Sequence, residues 1–336
     1  MKKVKWGILS TASIAQRRVV PAMLNCKHAE IVAVGSRSLE KAQAFAAKFG
    51  LRKAYGSYEE LFDDSDVEAI YNPLPNHLHV ELSIRAASRG KHVLVEKPLG
   101  MNVAEARRLL KARDEYGVKI GEAFMVRNHP QWVRTVELVR SGRIGKLRSA
   151  ICYFSYFDVD PENPRNIEEQ GGGALLDIGC YPIKTSRFVF GEEPIRVFGC
   201  IERDPSFRTD RLTSAILEFP TGQSIFTVST QMVYYQKMQF FGDSGRIDIE
   251  IPFNAPIDKP TRIFIDDGKN LYGGASAVRE ELPISNQFTI QGDLFSLAIL
   301  EEKEVPNPLE DAICNMAAID AIFRSAKTGK WEVPEI

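Results

Sequence analysis

The chain lacks a cysteine pattern, a surplus of either charge and any long apolar run, and each absence removes a class of function. Its five cysteines, Cys26, Cys152, Cys180, Cys200 and Cys314, are scattered, odd in number and free of any C-x-x-C pair. That spacing argues against a disulfide framework or a zinc knuckle and leads us to expect a reducing, cytoplasmic setting. Lys and Arg number 43 against 44 Asp and Glu, a formal charge of −1, so nucleic acid and anionic membrane surfaces are not expected as partners. No stretch approaches the roughly 18 apolar residues of a membrane span. The opening MKKVKWGILSTASIA mimics a signal peptide, but serine and threonine interrupt it and Arg17 and Arg18 follow, so it reads as a first β-strand. The five histidines form no H-E-x-x-H pattern and no G-x-S-x-G elbow is present, so neither a metal site nor a serine nucleophile is expected.

What is present is enough for two domains: 336 residues, 44% of them hydrophobic. Through residue 125 short β-branched runs (4–9, 30–35, 69–72, 92–96, 118–123) alternate with helical patterns, the signature of βαβ units and a parallel sheet. Helix ends are marked chemically: Asn102 with Glu105 three residues on forms a capping-box pattern, and Gly50, Gly90 and Gly117 stand where helices stop. From about Lys146 the runs lengthen and alternate, as in KLRSAICYFSYF, RLTSAILEF and QSIFTVSTQM, which predicts a mostly antiparallel sheet. One helix, 173–190, follows the triple glycine Gly171, Gly172 and Gly173, and a last helix, 309–327, is placed to pack back on the first domain. The expected fold is α/β: a doubly wound, Rossmann-type parallel sheet over 1–125, then an α+β substrate and oligomerisation domain over 126–336.

Glycine is scarce where it would be most informative. A dinucleotide fingerprint reads G-x-G-x-x-G/A after a strand, so that backbone can approach the pyrophosphate at a helix N-terminus. Here GILSTASIA offers S-x-A-x-x-A: Ser10 and Ala12 replace the first two glycines, and Ala15 is a permitted third residue. Both replacements are small, so close approach survives if neither position needs a positive φ. The candidate cofactor loop is Ser10, Thr11, Ala12, Ser13 and Ile14. At the end of the second strand, Ser36 and Arg37 stand where an NAD enzyme places an acid; an arginine fork pairs with a 2′-phosphate, which favours NADP over NAD. Glu40 is an alternative partner for Arg37.

Two further clusters lie at the carboxyl ends of expected strands, where doubly wound sheets bind ligands. The first is NPLPNHLH, contributing Asn72, Pro73, Leu74, Asn76 and His77 to the candidate cofactor site; the second is VLVEKPLG, contributing Glu96 and Lys97. With GGGALLDIGCYPI over 171–183, these motifs make the chain similar, over its full length, to the Gfo/Idh/MocA oxidoreductases. The resemblance implies that Lys97 is catalytic, that Asp177 and Tyr181 complete the site, and that a cis peptide precedes Pro98. Tyrosine rather than histidine at 181 leans towards aldose 1-dehydrogenase or dihydrodiol-dehydrogenase-like members. The low-glycine loop and the charged Lys184, three residues beyond Tyr181, depart from the family's commoner pattern.

In hydride transfer the cofactor carries the hard step while the protein aligns the alcohol and takes its proton. Tyrosine has an ordinary pKa of about 10, so Tyr181 as base needs the ammonium of Lys97 beside its phenolate, with Asp177 orienting substrate or lysine. Spacings of four and three put Asp177, Tyr181 and Lys184 on one helix face. Arg127, His129, Asn163 and Arg165 are further candidates to bind a sugar or polyol. The expected function is NADP-dependent oxidation of a monosaccharide or polyol by a homodimer or homotetramer built on the second sheet. The alternatives are a keto-sugar reductase, a redox-neutral enzyme that recycles bound NAD(P), and a sugar-sensing regulator without catalysis.

Overall fold

The computed structural model describes residues 2–270, 274 and 276–336, in two compact units. The first is built on six parallel strands, β1 (Val4–Leu9), β2 (Ala29–Gly35), β3 (Lys53–Tyr55), β4 (Ala69–Asn72), β5 (His92–Glu96) and β6 (Ile120–Ala123). Their order, β3-β2-β1-β4-β5-β6, is that of the doubly wound dinucleotide fold, and the strand order reverses between β1 and β4. Trp6, Ile8, Val34, Ile70 and Val93 are buried, as expected of strands covered on both faces.

The crossovers are α1 (Val20–Met23), preceded by a π-helical turn Ala15–Val19, α2 (Leu39–Phe49), α3 (Tyr58–Asp63), α4 (Asn76–Ala87) and α5 (Val103–Tyr116). Ser38 caps α2 by accepting from Lys41 N, and Gly50 ends it at φ +69°. Asn102 Oδ1 accepts from Glu105 N at 2.9 Å, while Glu105 returns its carboxylate to Met101 N at 3.0 Å. The expected box is therefore closed one residue earlier than its usual form.

The second unit carries eight strands, β7 (Leu147–Phe157), β8 (Arg196–Arg203), β9 (Asp210–Glu218), β10 (Gln223–Ser229), β11 (Gln231–Gly242), β12 (Arg246–Ile249), β13 (Thr261–Asp266) and β14 (Val278–Leu282), with helices α6 (Pro130–Arg140) and α7 (Cys180–Phe190). The sheet order is β14-β13-β12-β11-β7-β10-β9-β8, antiparallel except where β10 runs parallel to β7. QSIFTVSTQM, read above as one strand, breaks at Thr230: β10 ends and β11 begins on the other side of β7. One face holds Cys152, Phe154, Phe226, Val228 and Met238, all buried. On the opposite face Ile151, Tyr153, Phe157, Ile225 and Tyr235 are exposed.

The second unit is not the continuous stretch 126–336. Residues 286–313, containing α8 (Gln287–Leu300) and the start of α9 (Leu309–Thr328), belong to the first unit. The reason is side-chain complementarity that no local pattern reveals: Trp6 Nε1 donates to Ser296 Oγ at 3.0 Å and its ring meets Phe295, while His28 N donates to Asp293 Oδ1 at 2.8 Å. Glu122 N also donates to the carbonyl of Asn307. α9 crosses the division after Ile313.

Candidate active site

The loop after β1 does not meet the condition that neither replaced position take a positive φ. Ser10 adopts φ +75°, the left-handed region in which glycine is at ease and other residues are strained. Two bonds hold it there: its N–H donates to Gly35 O at 2.7 Å, and its Oγ accepts from Ala12 N at 3.2 Å. Gln16 Nε2 bonds Thr11 O at 2.9 Å, bracing the loop from the helix side. Helical geometry begins at Ser13, and the first N–H groups of a helix have no intrahelical acceptor. That end, aimed from a β1 loop at the strand-order reversal, fits a pyrophosphate. At the end of β2, Ser36 Oγ accepts from Ser38 N at 3.3 Å. Arg37 is exposed, and its guanidinium meets the Tyr58 hydroxyl rather than Glu40.

The β4 and β5 ends lie side by side in the same sheet. Asn72 is fully buried and spends its side chain on the loop itself: Oδ1 accepts from Leu74 N, and Nδ2 donates to His79 O and Ser83 Oγ. Pro73 and Leu74 are buried with it; Asn76 and the exposed His77 open α4. Glu96 accepts from the Tyr71 hydroxyl at 2.6 Å and from Lys97 N at 3.2 Å. Burial pushes its carboxyl up from the ordinary range, against those two donors. Lys97 precedes Pro98 through a cis peptide bond.

In the second unit the structure brings Asp177 and Arg165 together. Arg165 Nε donates to Asp177 Oδ2 at 2.9 Å, and the Tyr156 hydroxyl donates to the same oxygen at 2.7 Å. The carboxylate holds the guanidinium firmly charged; burial, then the Asp177 charge, drives Tyr156 well above the ordinary tyrosine range, so it stays a donor. Asp177 sits in a π-helical turn, Leu175–Gly179, that precedes α7. The wider π turn removes it from the α-helical register assumed for Asp177, Tyr181 and Lys184. Tyr181 is 6% exposed, its ring against Phe154 (5.6 Å between centroids) and Phe253 (5.1 Å). Lys184 is buried in α7.

Above this helix the triple glycine has a physical explanation. Gly171 and Gly173 have φ +80° and +114°, and a Cβ on Gly172 would overlap the carbonyl oxygen of Arg165. A Cβ on Gly173 would overlap Oδ1 of Asp210, whose Oδ2 accepts from Leu175 N at 2.7 Å and Thr213 Oγ1 at 2.8 Å. Asp210 therefore caps the helix carrying Asp177 and Tyr181 from another strand. Burial pushes its carboxyl up to about 6.

The remaining candidates have local partners. Asn163 caps the short turn bearing Arg165, accepting from Arg165 N at 3.1 Å and donating to Asp158 Oδ2 at 2.8 Å. His129 is fully buried and caps α6 through Gln131 N. Arg127 stacks its guanidinium 4.9 Å from the Phe188 ring centroid. Sequence reading missed Tyr156 and Asp210. Period-two alternation along β7 was the available signal for Tyr156, since it shares the face of Cys152 and Phe154; Asp210 carried none.

Family models match both parts of the chain: an oxidoreductase family with an NAD-binding Rossmann fold over residues 4–124, and a GFO/IDH/MocA C-terminal domain over residues 132–248. The chain belongs to the Gfo/Idh/MocA oxidoreductase family. It is an NAD(P)-dependent oxidoreductase, as the motifs implied. An uncharacterized oxidoreductase of Rhizobium meliloti is 44% identical across 99% of both chains. The NADP(+)-dependent D-xylose 1-dehydrogenase 2 of Haloferax volcanii is 33% identical over 96% of this chain and 98% of its own. Among solved structures, a 3-ketoreductase from Actinomadura kijaniata, in complex with NADP and TDP-benzene, superposes with a TM-score of 0.90 at 29% identity, covering 96% of this chain and 98% of its own. Among the described residues no helix is long and apolar enough to cross a membrane, and no group of three His, Cys, Asp or Glu side chains suits a metal ion.

Proposed function

We propose that this enzyme oxidises a monosaccharide or related polyol at its anomeric hydroxyl, with NADP as cofactor. The observation that carries this reading is the Tyr156, Arg165 and Asp177 cluster at the head of the helix bearing Tyr181. A carboxylate pinned by two donors on one oxygen is a pre-oriented acceptor for sugar hydroxyls, and the guanidinium beside it balances its charge. The likeness to a D-xylose dehydrogenase supports the same substrate class. The exposed fork of Arg37, beside Ser36 and Ser38, suits a 2′-phosphate, which favours NADP over NAD.

When bound, NADP supplies the acceptor for the hydride that leaves the substrate carbon. Tyr181 takes the hydroxyl proton, Lys97 stabilises the negative charge that develops as the proton departs, and Asp177 orients the neighbouring hydroxyl. Ser10, Thr11, Ala12, Ser13 and Ile14, the 72–77 loop and Glu96 would hold the cofactor. Asn72 acts there through the backbone it braces. On one face, β7, β10 and β11 expose Ile151, Tyr153, Phe157, Ile225 and Tyr235, an apolar strip of the kind that marks interaction surfaces, and we assign it to a homodimer or homotetramer contact.

A second reading, reduction of a keto sugar, is favoured by the likeness to the 3-ketoreductase. Both are tested by following reduced-nicotinamide absorbance with a panel of aldoses, keto sugars and polyols, each with NADP and NAD in both redox states. NADP reduction by an aldose, lost by at least a thousandfold in Lys97→Met, supports the first reading. NADPH oxidation by a keto sugar alone supports the second, and silence with cofactor bound overturns both.

A further inference from the structure

His79 stands in the first turn of α4, 1% exposed, and none of the roles above uses its ring. Both ring nitrogens face backbone carbonyls. Nδ1 lies 2.8 Å from the oxygen of Pro98, the residue after Lys97, and Nε2 lies 2.6 Å from the oxygen of Leu74, in the loop that follows β4. The ring thus spans the two turns that carry the lysine and the candidate cofactor loop, and it is braced in turn by Asn72, whose Nδ2 donates to the His79 carbonyl. Burial holds the ring down at about 4, against the pull of the two carbonyls, with the charges of Lys97 and His77 adding to the fall. A neutral imidazole has one N–H, so the two carbonyls share a single proton between two tautomers.

We propose that His79 is a positioning residue whose ring holds the Lys97–Pro98 turn through Nδ1 and the 72–75 loop through Nε2, each turn by its own contact. The proposal rests on Lys97 being the catalytic lysine. A core histidine with only a packing role would alter stability and leave the two turns alike.

The two amide side chains separate these cases, because the amide nitrogen of asparagine falls near the place of Nδ1 and that of glutamine near the place of Nε2. His79→Asn keeps a donor for Pro98 and removes the one for Leu74; His79→Gln does the reverse. Two readouts follow the two turns without needing a substrate. Fluorescence titration with NADPH reports the cofactor loop. The resonance of Lys97, reductively methylated with isotope-labelled formaldehyde and assigned by its loss in Lys97→Met, reports the lysine turn.

The expected pattern is crossed. His79→Asn weakens NADPH binding about tenfold, the factor that follows when a buried carbonyl loses its donor, and leaves the Lys97 resonance in place. His79→Gln binds NADPH within about twofold of wild type and shifts the Lys97 resonance. Variants that move both readouts together, or neither, overturn the proposal; if one variant does not fold, the other has its own required pair of values. Turnover by Lys97→Met is a separate result: if it persists, the catalytic reading of the lysine fails while the NADPH and resonance data still judge the role of His79.

Discussion

Two turns in this protein sit where glycine is the usual choice, and they handle its demands differently. After β1, Ser10 occupies φ +75° with a side chain in place. Before the helix of Asp177, Gly171, Gly172 and Gly173 fill three consecutive positions. The difference lies in what surrounds the missing or present Cβ. At Ser10 the strain is purely of the backbone, and the hydroxyl offsets part of it by accepting from Ala12 N. At 172 and 173 the space is already occupied, by the Arg165 carbonyl and by the Asp210 carboxylate. A positive φ is a modest cost that one hydrogen bond can offset; atomic overlap in a packed site is not.

That contrast is broken most severely at the second turn. Gly173→Ala combines a strained φ with displacement of a buried cap, and Gly172→Ala forces the Arg165 carbonyl aside. Each is expected to destabilise the fold by about 3 kcal/mol or more, seen as a lower urea midpoint, and to abolish turnover because the helix bearing Asp177 and Tyr181 moves. An alanine variant at either position with wild-type stability would sink the overlap argument.

Asp210→Asn sharpens the comparison by keeping the shape and removing the charge. The Asp210 carboxyl is raised by burial, from 3.8 to about 6 in the folded chain, so between about pH 4 and 6 the folded state holds a proton that the unfolded chain has released. The stability this group contributes is therefore complete below pH 4 and is lost as pH rises through 6. Relative to Asp210→Asn, wild type is expected to gain about 2 kcal/mol from this one group as pH falls from 7 to 4. Parallel urea curves for the two proteins over that range would refute the assignment.

The smallest effects belong to Ser10. Ser10→Ala keeps the strained φ and removes the accepting hydroxyl, so it costs about 1 kcal/mol. Ser10→Gly relieves the strain, loses the same bond and adds unfolded-state entropy, leaving stability within about 1 kcal/mol of wild type. Thermal melts that rank glycine well below alanine would show that the left-handed geometry is not what strains this loop.

Much of the first unit was legible because parallel strands and their helices are marked locally. The runs at β1, β4 and β5 and the caps at Asn102, Gly50 and Gly117 are short-range features, and they appear where expected. The motifs around Lys97, Asp177 and Tyr181 identified the family for the same reason. Strand β3, three residues long and only half-buried, carried too little pattern to see, and the break at Thr230 is set by pairing on opposite sides of β7.

The sequence by itself determined the parallel and antiparallel halves and the family, since each is written in local periodicity or a contiguous motif. Tertiary structure alone decided that residues 286–313 return to the first unit, that Tyr156 joins Arg165 on one oxygen of Asp177, and that Asp210 caps a helix 35 residues away in sequence. Those pairings depend on side-chain shape and hydrogen-bond direction at the point where distant segments meet, and no local periodicity encodes that meeting.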